Sequence, residues 1–239
     1  MKKVLSIMLV LCVAASLFAV GTVKVGGVFE FVKGNTKGSE YRPSEVVNYK
    51  THGFGFNIEG TYDVANNLEV FADFAMTFNH DMWAKYSNQT DWNSFRESFE
   101  KSKEALKPYN FTGSLSINSI SIAAGAAYKL PVASSVDVAV GGGLFFERIA
   151  TNQSAKDDVN GSRAQYTKFI NLGLSAYANA TYKITEQIGV GLTVMPRLGL
   201  FNSFNTTYVE DGESAVIDKA SGFAFGFAMP IVVGASYAF

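Results

Sequence analysis

The chain has 239 residues, enough for one large all-β domain or two small ones. Its formal net charge is −1 and it contains no basic run, so it lacks the electrostatic footprint of a nucleic-acid-binding protein. Gly (22), Phe (20) and Tyr (11) are abundant and Pro (5) is scarce, a mixture that suits many strands with aromatic outer faces better than a helical bundle.

The N-terminus reads as an export signal. Lys2 and Lys3 precede the apolar run VLSIMLVLCVAASLFA, and small residues allow cleavage after Ala19. This divides the chain into a signal peptide, 1–19, and a mature domain, 20–239. The run is short for a membrane anchor and no basic stop-transfer cluster follows it. Cys12 is preceded by the bulky Leu11, which argues against a lipoprotein signal. Cys12 is also the single Cys, so the mature chain is expected to have no disulfide and no thiol chemistry. With two His residues besides, no metal site and no cofactor is expected.

Beyond the signal, period-2 alternation dominates and predicts strands. The first, Thr22 to Val32, is irregular because Val28 and Val32 share a face with Lys24 and Glu30. A polar link over 33–51 leads to the clearest strand, His52 to Tyr62, where Phe54, Phe56, Ile58 and Tyr62 alternate with Gly55, Asn57, Glu59 and Thr61. A short link over 63–67 precedes Leu68 to Asn79, with Glu69, Phe71, Asp73 and Thr77 on one face. The polar link over 80–110 contains DWNSFRESFEKSKEALKPY. Trp92, Phe95, Phe99 and Leu106 form a helical stripe, Ser94 and Glu97 have capping-box spacing, and Pro108 stops the run. Either rim packing or a partner-binding surface would account for such a helix.

Phe111 to Tyr128 reads as a strand whose apolar parity switches between Ile117 and Ile120. A bulge at Asn118–Ser119 or an extra hairpin turning there would repair it. Short links follow at 129–135 and 183–187, and long polar links at 149–166 and 202–221. The strand from Phe169 to Tyr182 sets Leu172, Leu174 and Tyr182 against Asn171, Ser175, Asn179 and Thr181, and Gly222 to Phe239 alternates Phe with Gly and Ala. Short and long links thus alternate between about eight strands. That rhythm predicts an all-β fold: a single closed antiparallel transmembrane β-barrel with short periplasmic turns and long extracellular loops.

The orientation of the faces needs its own argument. A soluble sandwich buries its apolar face and shows a strongly polar one. Here the second face is rich in Gly, Ala and Ser, which suits the crowded interior of a narrow barrel, whereas the aromatic face suits lipid. A closed barrel also pairs every backbone group within the membrane.

On these alternating strands, this link rhythm and the terminal VVGASYAF, the chain resembles the small bacterial outer-membrane barrels of the OmpA/OmpX/OmpW-like kind. The resemblance covers almost everything after Ala19. It implies residence in the outer membrane, contact with outer-membrane lipids and lipopolysaccharide or an equivalent, and recognition of the C-terminal strand by the barrel-assembly machinery. No appended domain is expected, and an extracellular ligand is left unidentified. Three similar segments, GTYDVANNLEVFADF from Gly60, AAYKLPVASSVDVAV from Ala126 and ATYKITEQIGVGLTV from Ala180, with the truncated copy ASYAF ending at Phe239, put Tyr62, Tyr128, Tyr182, Tyr237 and Phe239 at strand ends and predict an aromatic girdle at the periplasmic interface.

Parity assigns Lys24, Glu30, Asn57, Glu59, Glu69, Asp73, Thr77, Asp137, Glu147, Asn171, Asn179 and Arg197 to the lumen. Carboxylates outnumber cations, so Arg197 is expected at the centre of an ion network that either plugs the barrel or gates it. Pro196 and Pro230 fall at similar heights on neighbouring strands. Their missing donors predict either harmless irregularities or a lateral opening for small apolar molecules. His52 and His80 lie near the outer rim, with Asp81 and Ser87 close in sequence, but no nucleophile motif accompanies them and no enzyme activity is expected. The expected role is structural presence and surface display. A narrow passive channel for small or hydrophobic solutes, and an adhesin or receptor acting through the long loops, are the alternatives.

Overall fold

The computed structural model describes residues 21–36, 46–159, 161–210 and 213–239. The expected signal peptide and the middle of the first long link lie outside the described residues. The strands are β1 (Gly21–Thr36), β2 (Val47–Ala65), β3 (Leu68–Tyr86), the two-residue β4 (Asn93–Ser94), β5 (Thr112–Ala133), β6 (Val136–Asp157), β7 (Gly161–Lys183), β8 (Ile188–Val194), β9 (Arg197–Glu210) and β10 (Glu213–Ala238). One helix, α1, spans Phe95–Leu106. Neighbouring strands pair antiparallel, and β1 pairs with β10, so the sheet closes into a ring.

The wall has eight strands. β8 and β9 are halves of one strand: Val194 faces Ile231 and Arg197 faces Ala228, the same register on either side of Met195–Pro196. β4 stands outside the ring, paired only to β3.

Tight turns at 66–67, 134–135 and 184–187 mark one end. At the first, Asn67 takes a left-handed conformation (φ 61°), which its short polar side chain tolerates. At the last, Thr185 Oγ1 accepts from the N–H groups of Gln187 (3.2 Å) and Ile188 (2.9 Å). Tyr62, Tyr128, Tyr182, Tyr237 and Phe239 all point outward near this end, and Tyr237 packs edge-on to Phe239 at 5.0 Å. An outward aromatic set lies further up the wall, with Phe54 68% and Phe223 78% exposed. Twelve residues separate Tyr237 from Phe225; at ~3.3 Å per residue and a tilt of about 40° this is roughly 30 Å along the axis, a hydrocarbon thickness.

The expected bulge or extra hairpin at Asn118–Ser119 is not formed. β5 is continuous, and its register with β6 runs unbroken from Thr112 to Leu130. Ile120 and Ile122 point outward, whereas Ile117 points inward and is buried. The parity switch is real but lies in the environment, not the backbone. Val32, Val47, Tyr49, Met82, Ile117, Ile149, Phe169 and Phe204 form an apolar cluster in the upper lumen. The same cluster explains why Val32 shares a face with Lys24 and Glu30, and Val28 on that face packs in a separate cluster with Ala75 and Val232.

The links expected at 149–166 and 202–221 are mostly strand. β6 pairs with β7 out to Asp157–Gly161, and β9 with β10 out to Glu210–Glu213. They read as loops because, beyond the membrane, the outward face is also polar and the alternation fades.

Between β3 and β5 the ladder stops at Phe78–Asn118. Above that point β4 and α1 fill the seam. Ser94 caps α1 by accepting from Glu97 N–H at 2.8 Å. Asp81, inward of a one-residue bulge at His80, accepts from Arg96 N–H (3.0 Å) and Met82 N–H (2.7 Å) through one oxygen and from Ser94 Oγ through the other. Phe95 packs on the upper apolar cluster and Phe99 is buried against Phe111. Trp92 precedes the helix rather than extending its stripe, and Leu106 is half-buried at its end. Replacing Asp81 by Ala is expected to weaken the docking of α1 by about 1–2 kcal/mol. Hydrogen-exchange mass spectrometry would then show faster exchange over 95–106 with β5, β6 and β7 unchanged.

Candidate functional site: an occluded lumen

Alternation along the strands carries a polar set inward, and the structure arranges it in levels. At the periplasmic end Lys24 Nζ pairs with Glu59 Oε1 at 3.0 Å and donates to Asn179 Oδ1 (2.7 Å) and to Thr193 Oγ1. Tyr177 Oη donates to Glu59 Oε1 at 3.0 Å. Glu69 is reached by Lys129 at 3.5 Å, which also pairs with Asp63.

The next level is aromatic. Phe71 and Tyr177 stack face to face with ring centroids 4.2 Å apart, and Phe145 and Met195 complete a buried disc with three alanines. Along β3 Phe71 lies between Glu69 and Asp73; along β7 Tyr177 lies between Asn179 and Ser175. On β3 and β7 the disc therefore lies between the polar levels, while on the β2 side Glu59 directly faces Asp73 across the ladder.

Above it Arg197, 1% exposed, bridges Glu30 Oε1 through Nη1 and Asp73 Oδ1 through Nη2, both at 3.2 Å. The guanidinium carbon sits 5.6 Å from the Phe145 ring centre. Asn57 donates to Asp73, and Ser119 Oγ (3.0 Å) and Thr77 Oγ1 (3.3 Å) donate to Glu30 Oε2. A relay runs alongside: Tyr49 donates to Asn171, and Asn171 donates to Glu147 Oε2 at 2.5 Å. Arg197 Nε and Glu147 Oε1 are buried without a protein partner.

Of the ion network expected from parity, Arg197, Glu30, Asp73 and Glu147 lie at this upper level, while Lys24, Glu59 and Glu69 belong to the lower one. Asp137 departs from expectation. It is half-exposed at the periplasmic mouth and pairs with Lys183 at 2.8 Å, because β6 begins at Val136 and Asp137 is still at the rim. Sequence reasoning placed Phe71 on the inward face without assigning it a filling role, and missed Phe145, Tyr177 and Tyr49 as lumen-filling groups. Parity alone would have found Tyr177, which shares a face with Ser175 and Asn179.

The wall does not part at the prolines, so of the two readings of Pro196 and Pro230 the geometry has the irregularity and not the lateral opening. Met195 N–H donates to Pro230 O (3.1 Å) and Ala176 N–H donates to Pro196 O (2.8 Å), so each proline keeps one ladder bond as an acceptor. Ser175 Oγ donates to Ala176 O at 3.0 Å, serving the carbonyl that faces the donorless Pro196. Three of the residues considered for catalysis have other contacts. His52 stacks on Trp83 (5.6 Å), Ser87 Oγ accepts from Val46 N–H (3.2 Å) and Asp81 caps α1. Among the described residues no group of three or more His, Cys, Asp and Glu is placed to hold a metal ion.

Two cavities flank the filled middle. A small one of about 60 Å³ opens at the periplasmic end beside Lys24, Glu59 and Glu69. A cup of about 240 Å³ opens at the other end, floored by Val47, Phe169 and Phe204 and walled by Phe95, Thr167 and Thr206. No residue lines both.

The fold is that of small bacterial outer-membrane β-barrels. The chain is similar to a major outer membrane protein of Thermus thermophilus (TM-score 0.55, 15% identity, 90% of this chain and 99% of that one). It is also similar to the outer membrane protein OprG of Pseudomonas aeruginosa (TM-score 0.55, 11% identity, 92% of this chain and 96% of that one). These likenesses are of fold. No protein-family model matches the chain, and no curated protein matches it.

One guanidinium bridging two buried carboxylates makes Arg197 a costly lumen residue to remove, since its loss strands like charges in a dry interior. Arg197→Met is expected to lower the unfolding free energy by about 3–5 kcal/mol in reversible urea titrations from lipid vesicles. Adding Glu30→Gln and Asp73→Asn should restore part of that loss.

Proposed function

We propose that this protein is an integral outer-membrane barrel that does not conduct through its lumen and acts through what it displays outside. The observation that carries this reading is the occlusion: an aromatic disc, an ion network and an apolar plug are stacked between two cavities that share no lining residue. An eight-strand barrel is just wide enough for side chains to fill it. The material beyond the membrane supports display, since β6, β7 and β10 are 22, 23 and 26 residues long where about 9–11 suffice to cross. The barrel-assembly machinery would insert it through its last strand, and lipid would surround the apolar belt. In planar-bilayer recordings wild type is expected to give no steps, and Arg197→Ala none either. Steps in wild type would refute the plug, and steps in Arg197→Ala alone would make Arg197 a gate.

A second reading is favoured by one observation. The cup has an apolar floor, and it adjoins the seam where the β3–β5 ladder ends and α1 completes the wall. A small hydrophobic molecule could enter the cup and leave sideways past α1 into lipid, at this seam and not at the prolines. Phe169→Glu would place a carboxylate on the cup floor. It is expected to reduce binding of a fluorescent hydrophobic probe at least tenfold in proteoliposomes, since an unpaired charge there is strongly disfavoured. Equal binding by wild type and variant would remove this reading.

A further inference from the structure

We infer that the outer wall of β1, β2 and β3 carries a binding site for the phosphate headgroup of an anionic membrane lipid. The inference rests on the membrane reading above and adds a defined contact to it. Lys33 on β1 and Lys50 on β2 are direct cross-strand partners. Lys50 is also the partner of Trp83 on β3, and Lys85 lies two residues further along that strand. Lys33, Lys50 and Trp83 face outward, because the alternating residues Val32, Tyr49 and Met82 are buried in the upper lumen, while Lys85 stands at the rim, bordering the cup and donating to Thr90 O at 3.4 Å.

The group is organised. Lys50 Nζ lies 4.7 Å from the Trp92 ring centre and 5.4 Å from that of Trp83, and Lys85 Nζ lies 5.2 Å from Trp92. His52 stacks on the Trp83 ring at 5.6 Å and 15°. Like charges directly opposite in a sheet repel. Nevertheless, among the described residues no carboxylate forms an ion pair with Lys33, Lys50 or Lys85. The aromatic rings hold the ammonium groups without neutralising them.

Height identifies what supplies the missing charge. Lys50 is four residues beyond the outward, lipid-exposed Phe54, so it stands ~10 Å above that ring along the axis. This is headgroup depth, where Trp is also favoured. A lipid phosphate is held at that depth by its acyl chains and reaches all three cations without leaving the membrane. A free anion has no such confinement, and an acidic protein would have to approach through the interfacial layer.

Trp83 and Trp92 are the chain's two tryptophans, so intrinsic fluorescence reads this patch alone. The test uses the full mature chain in phosphatidylcholine vesicles and compares quenching by brominated phosphatidylglycerol with that by brominated phosphatidylcholine. A lysine at an anionic surface is worth roughly fivefold in affinity, so wild type is expected to prefer phosphatidylglycerol about threefold or more. The preference should fall to about one in the Lys33→Ala/Lys50→Ala/Lys85→Ala variant. It should weaken in Lys33→Ala alone, an exposed strand position that leaves both tryptophan contacts intact. It should persist in Lys168→Ala, an exposed cation on β7. Equal quenching in inserted wild type overturns the lipid site and leaves the membrane reading standing. So does a preference that survives the triple variant or is lost in Lys168→Ala. Suppression of the preference by excess inorganic phosphate would assign the patch to a free anion instead. Failure of wild type to insert into either vesicle, read from strand content and heat-shifted gel mobility, overturns both readings.

Discussion

A strand that runs from lipid into water has to exchange the roles of its two faces, and most of this structure follows from that constraint. On β2 and β5 the backbone does not help, since their side chains keep alternating with period two through the change. Within the membrane the outward positions are apolar and the inward ones polar: Phe54 and Phe56 against Asn57 and Glu59 on β2, Ile120 and Ile122 against Ser119 and Ser121 on β5. Beyond it the inward positions become apolar, with Val47 and Tyr49 on β2 and Ile117 on β5, and the outward ones polar. On these two strands parity is conserved while polarity inverts, so the upper barrel is organised like a soluble barrel standing on a membrane one. The height of the inversion marks the outer edge of the hydrocarbon layer, and the Lys–Trp patch lies on the outer wall at that edge.

The second constraint is closure. In lipid each unpaired backbone group is costly, so a ring with no free edge is required. The chain meets two threats to this differently. At Met195–Pro196 and Pro230 it keeps the register, accepts through the proline carbonyls and covers one orphan acceptor with the Ser175 hydroxyl. At the top of the β3–β5 seam it abandons pairing. There the wall is above the inversion, water can serve the backbone, and side-chain burial by Phe95 and Phe99 replaces the ladder. The device that secures the helix there is the Asp81 clasp. A bulge at His80 turns the carboxylate to the N-terminus of α1, where free N–H groups need an acceptor.

What the sequence made legible divides along the same line. Strand alternation, the turn rhythm and the outward Tyr phrases are governed by lipid on one side, so periodicity exposes them. The Ser94 cap was readable because it depends on spacing within one turn. Parity also placed Arg197, Glu30 and Asp73 on one face, although it could not say which carboxylates share the guanidinium. The upper strands were misread as loops because polarity on their outer face removed the contrast on which alternation depends. Asp137 was assigned inward correctly by parity but not by height, since period two carries no axial coordinate. The β3–β5 seam depends on a tertiary choice between pairing and a helix, and no local pattern reports it. Trp92 looked like part of a helical stripe, yet its position before the cap commits it to Lys50 and Lys85 instead.

The distribution of charge ties lumen and wall together. Inside, Arg197 bridges Glu30 and Asp73, and the aromatic disc packs beside them toward the periplasmic pair Lys24–Glu59, with Tyr177 of the disc bonded to Glu59. Outside, three lysines face water and lipid headgroups without a carboxylate partner among the described residues. Buried ions must be matched within the chain because nothing else can reach them, and they pin the side chains that fill the barrel. Exposed ions at the membrane edge need no internal match, because the surface they meet carries the opposite charge. A lumen built to stay fixed and a wall built to meet its surroundings place the interactive chemistry of this barrel on its outside.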